Sequence, residues 1–217
     1  MTCLGFFRNR AFVVMLSSRV VQQWFCDHLL PAIVLGSAFP GLPLTSIDSD
    51  YRSMGHHAAG LFLGKAHRRI VWMVPESRPC RGHGNREDFS TASDGASGSD
   101  LIQKISQLFA SPAPSTAFFV ISPFATTALV THLLSRGLRI PQDVSVITRD
   151  YDPLLEWIRP PSAHYIPPLR RIASRISRLA VEMATSSPFP LYHIQIMPQF
   201  CCSESLTVCP EIKGSNR

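Results

Sequence analysis

The sequence predicts an α/β fold in which helices cover both faces of a parallel sheet. Short apolar runs alternate with segments of helical periodicity along the 217 residues of the chain. Such alternation is typical of right-handed strand–helix–strand crossovers. With 45% hydrophobic and 17% charged residues, the chain can bury a core of its own. Its eighteen prolines outnumber its twelve glycines, which favours many short elements joined by rigid connections.

The first three elements are predicted as strand, helix and strand. Residues Phe12 to Leu16 form a short apolar run with β-branched members, which predicts a strand. Ser18 is placed to cap the next helix, whose apolar positions recur with helical spacing from Val20 to Leu29. Pro31 ends this helix, and Ile33 to Leu35 predicts a second buried strand.

A second strand–helix–strand unit follows. Leu44 to Ile47 predicts a short strand, and the apolar pattern of Arg52 to Ala66 predicts a helix. The run Ile70 to Val74 is apolar throughout, as expected for a strand that is buried on both faces.

The regular pattern then breaks down. Residues 76–99 are polar and rich in Gly and Ser, which predicts a loop with one helical turn around Glu87 to Ala92. Order returns at the amphipathic helix Leu101 to Phe109, for which Ser99 or Asp100 is the expected N-cap.

The last part of the chain returns to alternation. Ala117 to Ile121 predicts a strand, and Phe124 to Arg136 predicts a helix that Gly137 closes. Pro141 then turns the chain into the strand Val144 to Ile147. The final elements are a helix, Leu169 to Met183, and a strand, Tyr192 to Met197, before a coil tail.

Polar residues follow most of these strands directly. In parallel sheets ligands bind outside the carboxyl ends of the strands, so these residues are candidates for one polar rim. They are Ser17, Ser37, Asp48 or Asp50, Glu76, Ser122 and Asp150.

Composition argues against several classes of protein. The formal charge of +6 arises from scattered Lys and Arg without a long basic run, so we expect a solvated basic surface rather than direct nucleic-acid binding. The six cysteines lack C-x-x-C spacing and predict free thiols in a reducing compartment. Polar residues interrupt the apolar N-terminal region, so we expect a cytoplasmic protein that is not bound to a membrane.

No motif indicates catalysis, a metal site or a bound cofactor. The sequence has no G-x-S-x-G motif and no glycine-rich phosphate or dinucleotide loop. His56, His57 and His83 lack partners at metal-binding spacing. We therefore expect a binding protein and not an enzyme.

Several stretches resemble the effector-binding domain of lac-repressor-type (LacI/GalR) transcription regulators. The most specific is "GLRIPQDVSVI" followed by the strand-end Asp150, which resembles the family pattern GL-x-[VI]-P-x-D-[VI]-S-[VI] and its Asp. The others are "LPAIVLGS", "TSIDSDYRSMGHHAAGLFLGKAHRRIVWMV" and "LYHIQIMPQFCCSESL". The resemblance extends with gaps from about residue 11 to 206.

This resemblance implies a periplasmic-binding-protein-like (type I) fold with two doubly wound parallel-sheet subdomains. We expect residues 1–50 and 166–188 to form a partial N-terminal subdomain, 51–165 and 189–206 the C-terminal subdomain, and 207–217 a tail. About a dozen residues that form a strand in the family have no counterpart before Leu101, so we expect the fold to be incomplete.

The resemblance also implies the site residues for a small-molecule effector, often a sugar. Asp150 matches the Asp that binds effector hydroxyls, although an Asp here also fits a turn cap. Ser122 replaces the Asn of the family's Asn-Asp pair. Asn85 aligns with the effector-binding Arg, while Arg86 lies one place away and fits a solvated surface position equally well.

Three further candidates come from the residues themselves. Asp50 and Ser17 lie at the predicted rim. Trp24 has an aromatic face that suits stacking on a sugar ring, although adjacent aromatic residues on an amphipathic helix are more often core and rim.

The resemblance implies the sugar-sensing part of a transcription regulator that forms a homodimer. The family's helix-turn-helix headpiece has no counterpart before Ala11, so we expect operator DNA to be a partner only if a headpiece is encoded upstream. Two alternatives remain open: a free-standing solute-binding protein and a non-functional remnant.

Overall fold

The computed structural model describes residues 11–75, 89–94, 98–109, 114–185 and 190–208. These residues form two compact units. Unit 1 comprises the chain up to Tyr51 together with Pro168–Pro198, and unit 2 comprises Arg52–Pro167 together with the chain from Gln199 onward. Each unit has its own sheet.

The helices and strands follow one another along the chain as the apolar pattern predicts, with three additional strands. In chain order they are β1 (Phe12–Met15), α1 (Arg19–Asp27), β2 (Ala32–Leu35), β3 (Thr45–Ser49), α2 (Tyr51–Gly64), β4 (Ile70–Pro75), β5 (Phe89–Asp94), α3 (Gly98–Phe109), β6 (Ala117–Val120), α4 (Pro123–Ser135), β7 (Ser145–Thr148), a 3₁₀ turn (Pro153–Trp157), β8 (Ala163–Ile166), α5 (Leu169–Thr185), β9 (His193–Ile196) and β10 (Gln199–Cys201). The predicted α/β fold class is therefore confirmed.

Unit 1 contains a parallel sheet in the order β1-β2-β3-β9. Side chains alternate across each strand, so the sheet has two apolar faces. Ile33 and Ile47 pack on one face against Ile172 and Leu179 of α5. On the other face Val34 and its neighbours pack against α1 and the turn before β3. Helices or loops therefore cover both faces.

β1 forms the edge of this sheet and exposes apolar side chains. Among the described residues no strand pairs with its outer side. Val13 is 45% exposed, Met15 63% and Leu16 83%. At the opposite edge, β9 exposes the polar residues His193 and Gln195 instead. The apolar exposure is therefore a property of the β1 edge.

α1 begins at the serine that the sequence predicts as its cap. The Ser18 hydroxyl accepts a hydrogen bond from the backbone N–H of Val21 at 3.4 Å. This bond satisfies one of the N–H groups that a helix leaves unpaired in its first turn.

Unit 2 contains a six-stranded sheet in the order β10-β8-β7-β6-β4-β5, with only β10 antiparallel. β6 and β7 lie in its centre and are buried at every position. Val71, Phe118 and Val146 pack against Leu129 and Leu133 of α4. Burial on both faces explains why β6 is apolar without alternation.

The turn from α4 to β7 is the one predicted. Gly137 follows the helix with a φ of 75°, the left-handed conformation that glycine adopts without steric cost. Its N–H donates to the carbonyl of Leu134 at 2.9 Å, so it closes the helix at the C′ position.

We expected one strand of the family fold to be absent before Leu101, but a strand is present there, so that expectation was wrong. β5 spans Phe89–Asp94, pairs in parallel with β4 from Ile70 opposite Phe89 to Pro75 opposite Asp94, and replaces the helical turn expected over these residues. The stretch "FSTASD" has few β-branched residues, so its strand conformation depends on pairing with β4 and not on local propensity. α3 also begins at Gly98, ahead of the expected cap residues Ser99 and Asp100.

The two ends of the C-terminal segment also differ from expectation. We expected residues 189–206 to belong to the C-terminal subdomain, but β9 pairs with β3 of unit 1, with Ile47 opposite Ile194. The expected coil after it contains β10, which pairs with β8 and thereby joins unit 2. Prolines flank β8, and they obscured that strand in the sequence.

A buried histidine connects the last described residues to unit 2 through hydrogen bonds. His67 is 0% exposed. Its Nδ1 lies 2.9 Å from the Thr116 hydroxyl, and its Nε2 lies 3.0 Å from both the Ser145 hydroxyl and the Thr207 carbonyl. The carbonyl can only accept, so Nε2 carries the proton and Nδ1 accepts from Thr116. Burial lowers the pKa of His67 and thereby favours the neutral ring.

Candidate functional site

The carboxyl ends of β6 and β7 bring two of the predicted site residues to neighbouring positions. Val120 lies opposite Thr148 in the register of these strands. Ser122 and Asp150 each follow two residues later, so both lie at the carboxyl edge of the unit 2 sheet. Parallel sheets bind ligands at this edge.

Asp150 is held by its neighbour in the chain. The Nε atom of Arg149 donates to Oδ1 at 2.8 Å, and Nη2 donates to Oδ2 at 2.5 Å. The Arg149 side chain is 15% exposed and that of Asp150 is 41% exposed. The two charged residues that follow the apolar strand therefore form an ion pair at the sheet edge, and the carboxylate lies on its solvent side.

Ser122 caps α4 as well as lying at this edge. Its hydroxyl accepts from the N–H of Ala125 at 3.4 Å, and its carbonyl accepts from the N–H of Thr126 at 2.9 Å. The cap uses the hydroxyl only as an acceptor, so the hydroxyl proton can be donated to a ligand.

A chain of buried hydroxyls lies beneath these two residues, and it was not among the predicted site features. Thr126 and Thr148 lie 3.0 Å apart, and Thr148 and Ser162 lie 2.8 Å apart, oxygen to oxygen. All three residues are at most 2% exposed. They connect α4, β7 and the start of β8, so they stabilise the ends of the strands that carry Ser122 and Asp150. In the sequence, Thr148, a polar residue at the end of β7, is the one signal that points to them.

Aromatic side chains also lie near this edge, and sequence reasoning missed them. The rings of Tyr151 and His164 are 5.1 Å apart and inclined by 33°. The Tyr151 hydroxyl donates to the carboxylate of Glu156, and this bond raises the pKa of Tyr151. Phe124, in the first turn of α4, is 75% exposed.

In unit 1, Ser17 belongs to a network at the carboxyl edge of its sheet. The amide of Gln22, 1% exposed, donates to the Ser17 hydroxyl at 3.1 Å and to the Ser37 carbonyl at 3.2 Å, and it accepts from the N–H of Phe39 at 2.9 Å. The Ser37 hydroxyl in turn donates to Asp48 at 2.5 Å. Gln22 was not among the predicted site residues, although it is buried and connects two of the rim serines.

The remaining unit 1 candidates are Asp50 and Trp24. Asp50 follows β3, and its N–H donates to the carbonyl of Ile196 at 3.0 Å, which continues the pairing with β9. Trp24 is 48% exposed on α1, with its ring 4.4 Å from that of His28 and perpendicular to that of Phe25. Its ring packs within its own helix, as expected for a rim position.

The other candidates fall outside the described residues. These are Asn85, Arg86 and Glu76. The part of the chain that the structure describes contains no group of three His, Cys, Asp or Glu side chains that could bind a metal ion. Cys26, Cys201 and Cys202 are free thiols. No helix within the described ranges has the length and apolarity needed to span a membrane.

Comparison with known proteins gives the family and the fold. The family model of the periplasmic binding protein-like domain matches residues 74–205. No curated protein sequence matches this chain significantly.

Solved structures of LacI-family regulators share the fold at low sequence identity. One from Enterococcus faecalis V583 with bound ribose has a TM-score of 0.75 at 19% identity, over 94% of this chain and 80% of that chain. One from Arthrobacter sp. FB24 in complex with lactose has a TM-score of 0.70 at 17% identity, over 90% and 78%. The regulator CcpA of Lactococcus lactis has a TM-score of 0.74 at 12% identity, over 91% and 78%.

The match covers more than half of the chain, and the architecture agrees with it. Two units of mainly parallel sheet, with the chain passing from one to the other and back, were expected from the resemblance to lac-repressor-type regulators, and that resemblance is confirmed for the fold. The chain belongs to the periplasmic binding protein-like family and has the fold of the LacI-type transcription regulators.

Proposed function

We propose that this chain is the sugar-sensing part of a LacI-type transcription regulator, and that Asp150 binds hydroxyl groups of the sugar. The position of Asp150 carries the proposal. It lies at the carboxyl edge of the unit 2 sheet, beside Ser122, with its carboxylate 41% exposed. A carboxylate accepts charge-assisted hydrogen bonds from hydroxyl groups, and a hydroxyl such as that of Ser122 donates to a sugar oxygen.

The ligands of two related structures support a sugar as the effector. One regulator contains ribose and another contains lactose. The exposed ring of Phe124 adds an apolar surface close to the polar pair, and sugar rings pack well on aromatic faces. Asp150, Ser122 and Phe124 together thus combine the polar and apolar contacts that a small polar ligand needs.

The unit 1 edge offers a second set of polar groups. The buried amide of Gln22 donates to Ser17 and Ser37, and the Ser37 hydroxyl donates to Asp48. From the sequence, Ser17 and Asp50 are proposed as effector-binding candidates at this edge. Asn85, Arg86 and Trp24 remain candidates from the sequence.

The proposal includes the partners and the setting of such a regulator. The protein acts in the cytoplasm as a homodimer, without enzymatic activity. Operator DNA is its partner only through a helix-turn-helix segment joined to this chain, and its effector is a small neutral sugar.

Binding of D-ribose and of lactose to the purified chain tests the proposal. We expect either sugar to raise the unfolding midpoint, because a ligand that binds only the folded state stabilises it. The variant Asp150→Asn keeps the shape of the side chain but loses its charge, so the shift should fall by more than half. The variant Asp143→Asn is the control, since Asp143 forms a similar ion pair with Arg139 before β7 begins. An equal shift in wild type and Asp150→Asn would contradict the assignment of Asp150.

A further inference from the structure

Arg149 lies at the end of a central strand, in a position that fixes both its backbone and its side chain. Its N–H donates to the carbonyl of Val120 at 2.7 Å, which continues the pairing of β7 with β6 beyond the last strand residue. β7 itself is buried at every position. The backbone next to Asp150 is therefore held by the core of unit 2.

The guanidinium of Arg149 then fixes the carboxylate of Asp150. It binds both carboxylate oxygens, at 2.8 Å and 2.5 Å, through the two-point geometry in which the planar guanidinium matches a carboxylate. The side chain of Arg149 is only 15% exposed, so solvent screens this pair less than it screens a surface pair.

This contact leaves binding capacity on the carboxylate. Each oxygen of an ionised carboxylate has about two acceptor sites. Arg149 occupies one site on each oxygen, so one remains on each for a hydroxyl donor. The guanidinium also offsets the negative charge of Asp150, so a neutral donor suits the pair better than a cation does.

We propose that Arg149 is a positioning residue, which holds the Asp150 carboxylate in one orientation so that its two oxygens accept hydroxyl groups from a neutral sugar. This inference rests on the proposed function of Asp150. Arg149 acts on the sugar through Asp150 alone, and this distinguishes it from a residue that only stabilises the fold.

A double-mutant cycle on sugar affinity tests this coupling. The dissociation constants of D-ribose and lactose are measured by calorimetry for the wild type, Arg149→Met, Asp150→Asn and the double variant. We expect Arg149→Met to weaken binding about tenfold, because a freely rotating carboxylate loses entropy on binding. In the Asp150→Asn background, the same substitution should have no further effect, because its target is gone.

The chain provides a matched control in Arg139. Its guanidinium also binds both oxygens of an aspartate, Asp143, at 3.0 Å each, but before β7 and away from the carboxyl edge. Arg139→Met should leave the dissociation constants within a factor of two of the wild type. Arg149→Lys keeps the charge without the two-point contact, so its affinity should lie between those of the wild type and Arg149→Met. If Arg149→Met fails to fold, the Lys variant completes the cycle.

The outcomes separate this inference from the function on which it rests. If Asp150→Asn weakens binding but Arg149→Met does not, the function stands and the inference is wrong. If the two substitutions weaken binding independently in the double variant, Arg149 contacts the sugar itself and the inference is also wrong. If neither sugar binds the wild type, or if Asp150→Asn binds like the wild type, the assignment of Asp150 fails and the inference fails with it.

Discussion

His67 and Thr207 are 140 residues apart in the sequence, yet a hydrogen bond of 3.0 Å joins the imidazole Nε2 of the first to the carbonyl of the second. The Thr207 N–H also donates to the Ser145 hydroxyl at 3.1 Å, and Ser145 is the other partner of Nε2. One buried ring thus joins the start of β4, the start of β7 and the last residues that the structure describes.

Removing this ring should destabilise the protein strongly. His67→Ala leaves the Thr116 hydroxyl and the Thr207 carbonyl without the ring and creates a cavity, so we expect a loss of about 3 kcal/mol in the free energy of unfolding. Urea denaturation followed by circular dichroism measures it. His56→Ala, at an exposed position of α2, is the control and should change stability by less than about 0.5 kcal/mol. Similar losses in both variants would contradict the role of His67.

The same ring should make stability depend on pH. Burial lowers the pKa of His67 below its ordinary value of 6.5. As the pH falls through that value, the unfolded chain binds a proton at this residue while the folded chain does not, so the free energy of unfolding decreases. The decrease levels off below the folded pKa.

The cost of His67→Ala should therefore shrink in acid. We expect the stability gap between the wild type and the variant to be smaller at about pH 5 than at about pH 7.5, because only the wild type loses stability through this group. Urea midpoints at the two pH values measure the gap. A gap that stays constant would show that His67 titrates alike in both states.

Two glycines of α2 should respond differently to the same substitution. A Cβ at Gly55 would lie 2.6 Å from Cη2 of Trp72, whereas a Cβ at Gly60 would meet nothing within 4 Å. We expect Gly55→Ala to cost about 2 kcal/mol through overpacking and Gly60→Ala to add about 0.5–1 kcal/mol through helix propensity. Thermal unfolding of the two variants measures both, and the prediction is wrong if their midpoints move in the same direction.

The buried hydroxyl chain gives a milder prediction. Thr148→Val keeps the shape of the side chain but breaks the contacts with Thr126 and Ser162, so we expect a loss of about 1–2 kcal/mol. Thr131→Val, at an exposed position of α4, is the control. Chemical denaturation of both variants provides the measurement. Equal stabilities would show that the buried hydroxyls contribute nothing to the free energy of unfolding.

The sequence predicted the strands with apolar runs better than those that depend on pairing. β6 is apolar at every position because both of its faces are covered, so composition alone identifies it. β5 has the sequence "FSTASD", and its strand conformation follows from pairing with β4, which no local pattern reveals. The assignment of β9 to unit 1 likewise depends on its pairing with β3.

The candidate site was predictable to a similar degree. The position of Asp150 after a buried strand could be read from the sequence, because it needs only the strand and its end. The bond between Arg149 and Asp150 could not be predicted, because it depends on the rotamers of both side chains. The hydroxyls of Thr126, Thr148 and Ser162 meet only after the register of β6, β7 and β8 is set.

The β1 edge affects how the protein behaves in concentrated solution. Its exposed side chains Val13 and Met15 offer apolar contacts without the charge that usually blocks association at a sheet edge. The formal charge of +6 opposes such association, and salt screens that repulsion. The colloidal stability of the protein therefore depends on ionic strength: added salt favours association through these exposed side chains, and dilute buffer opposes it.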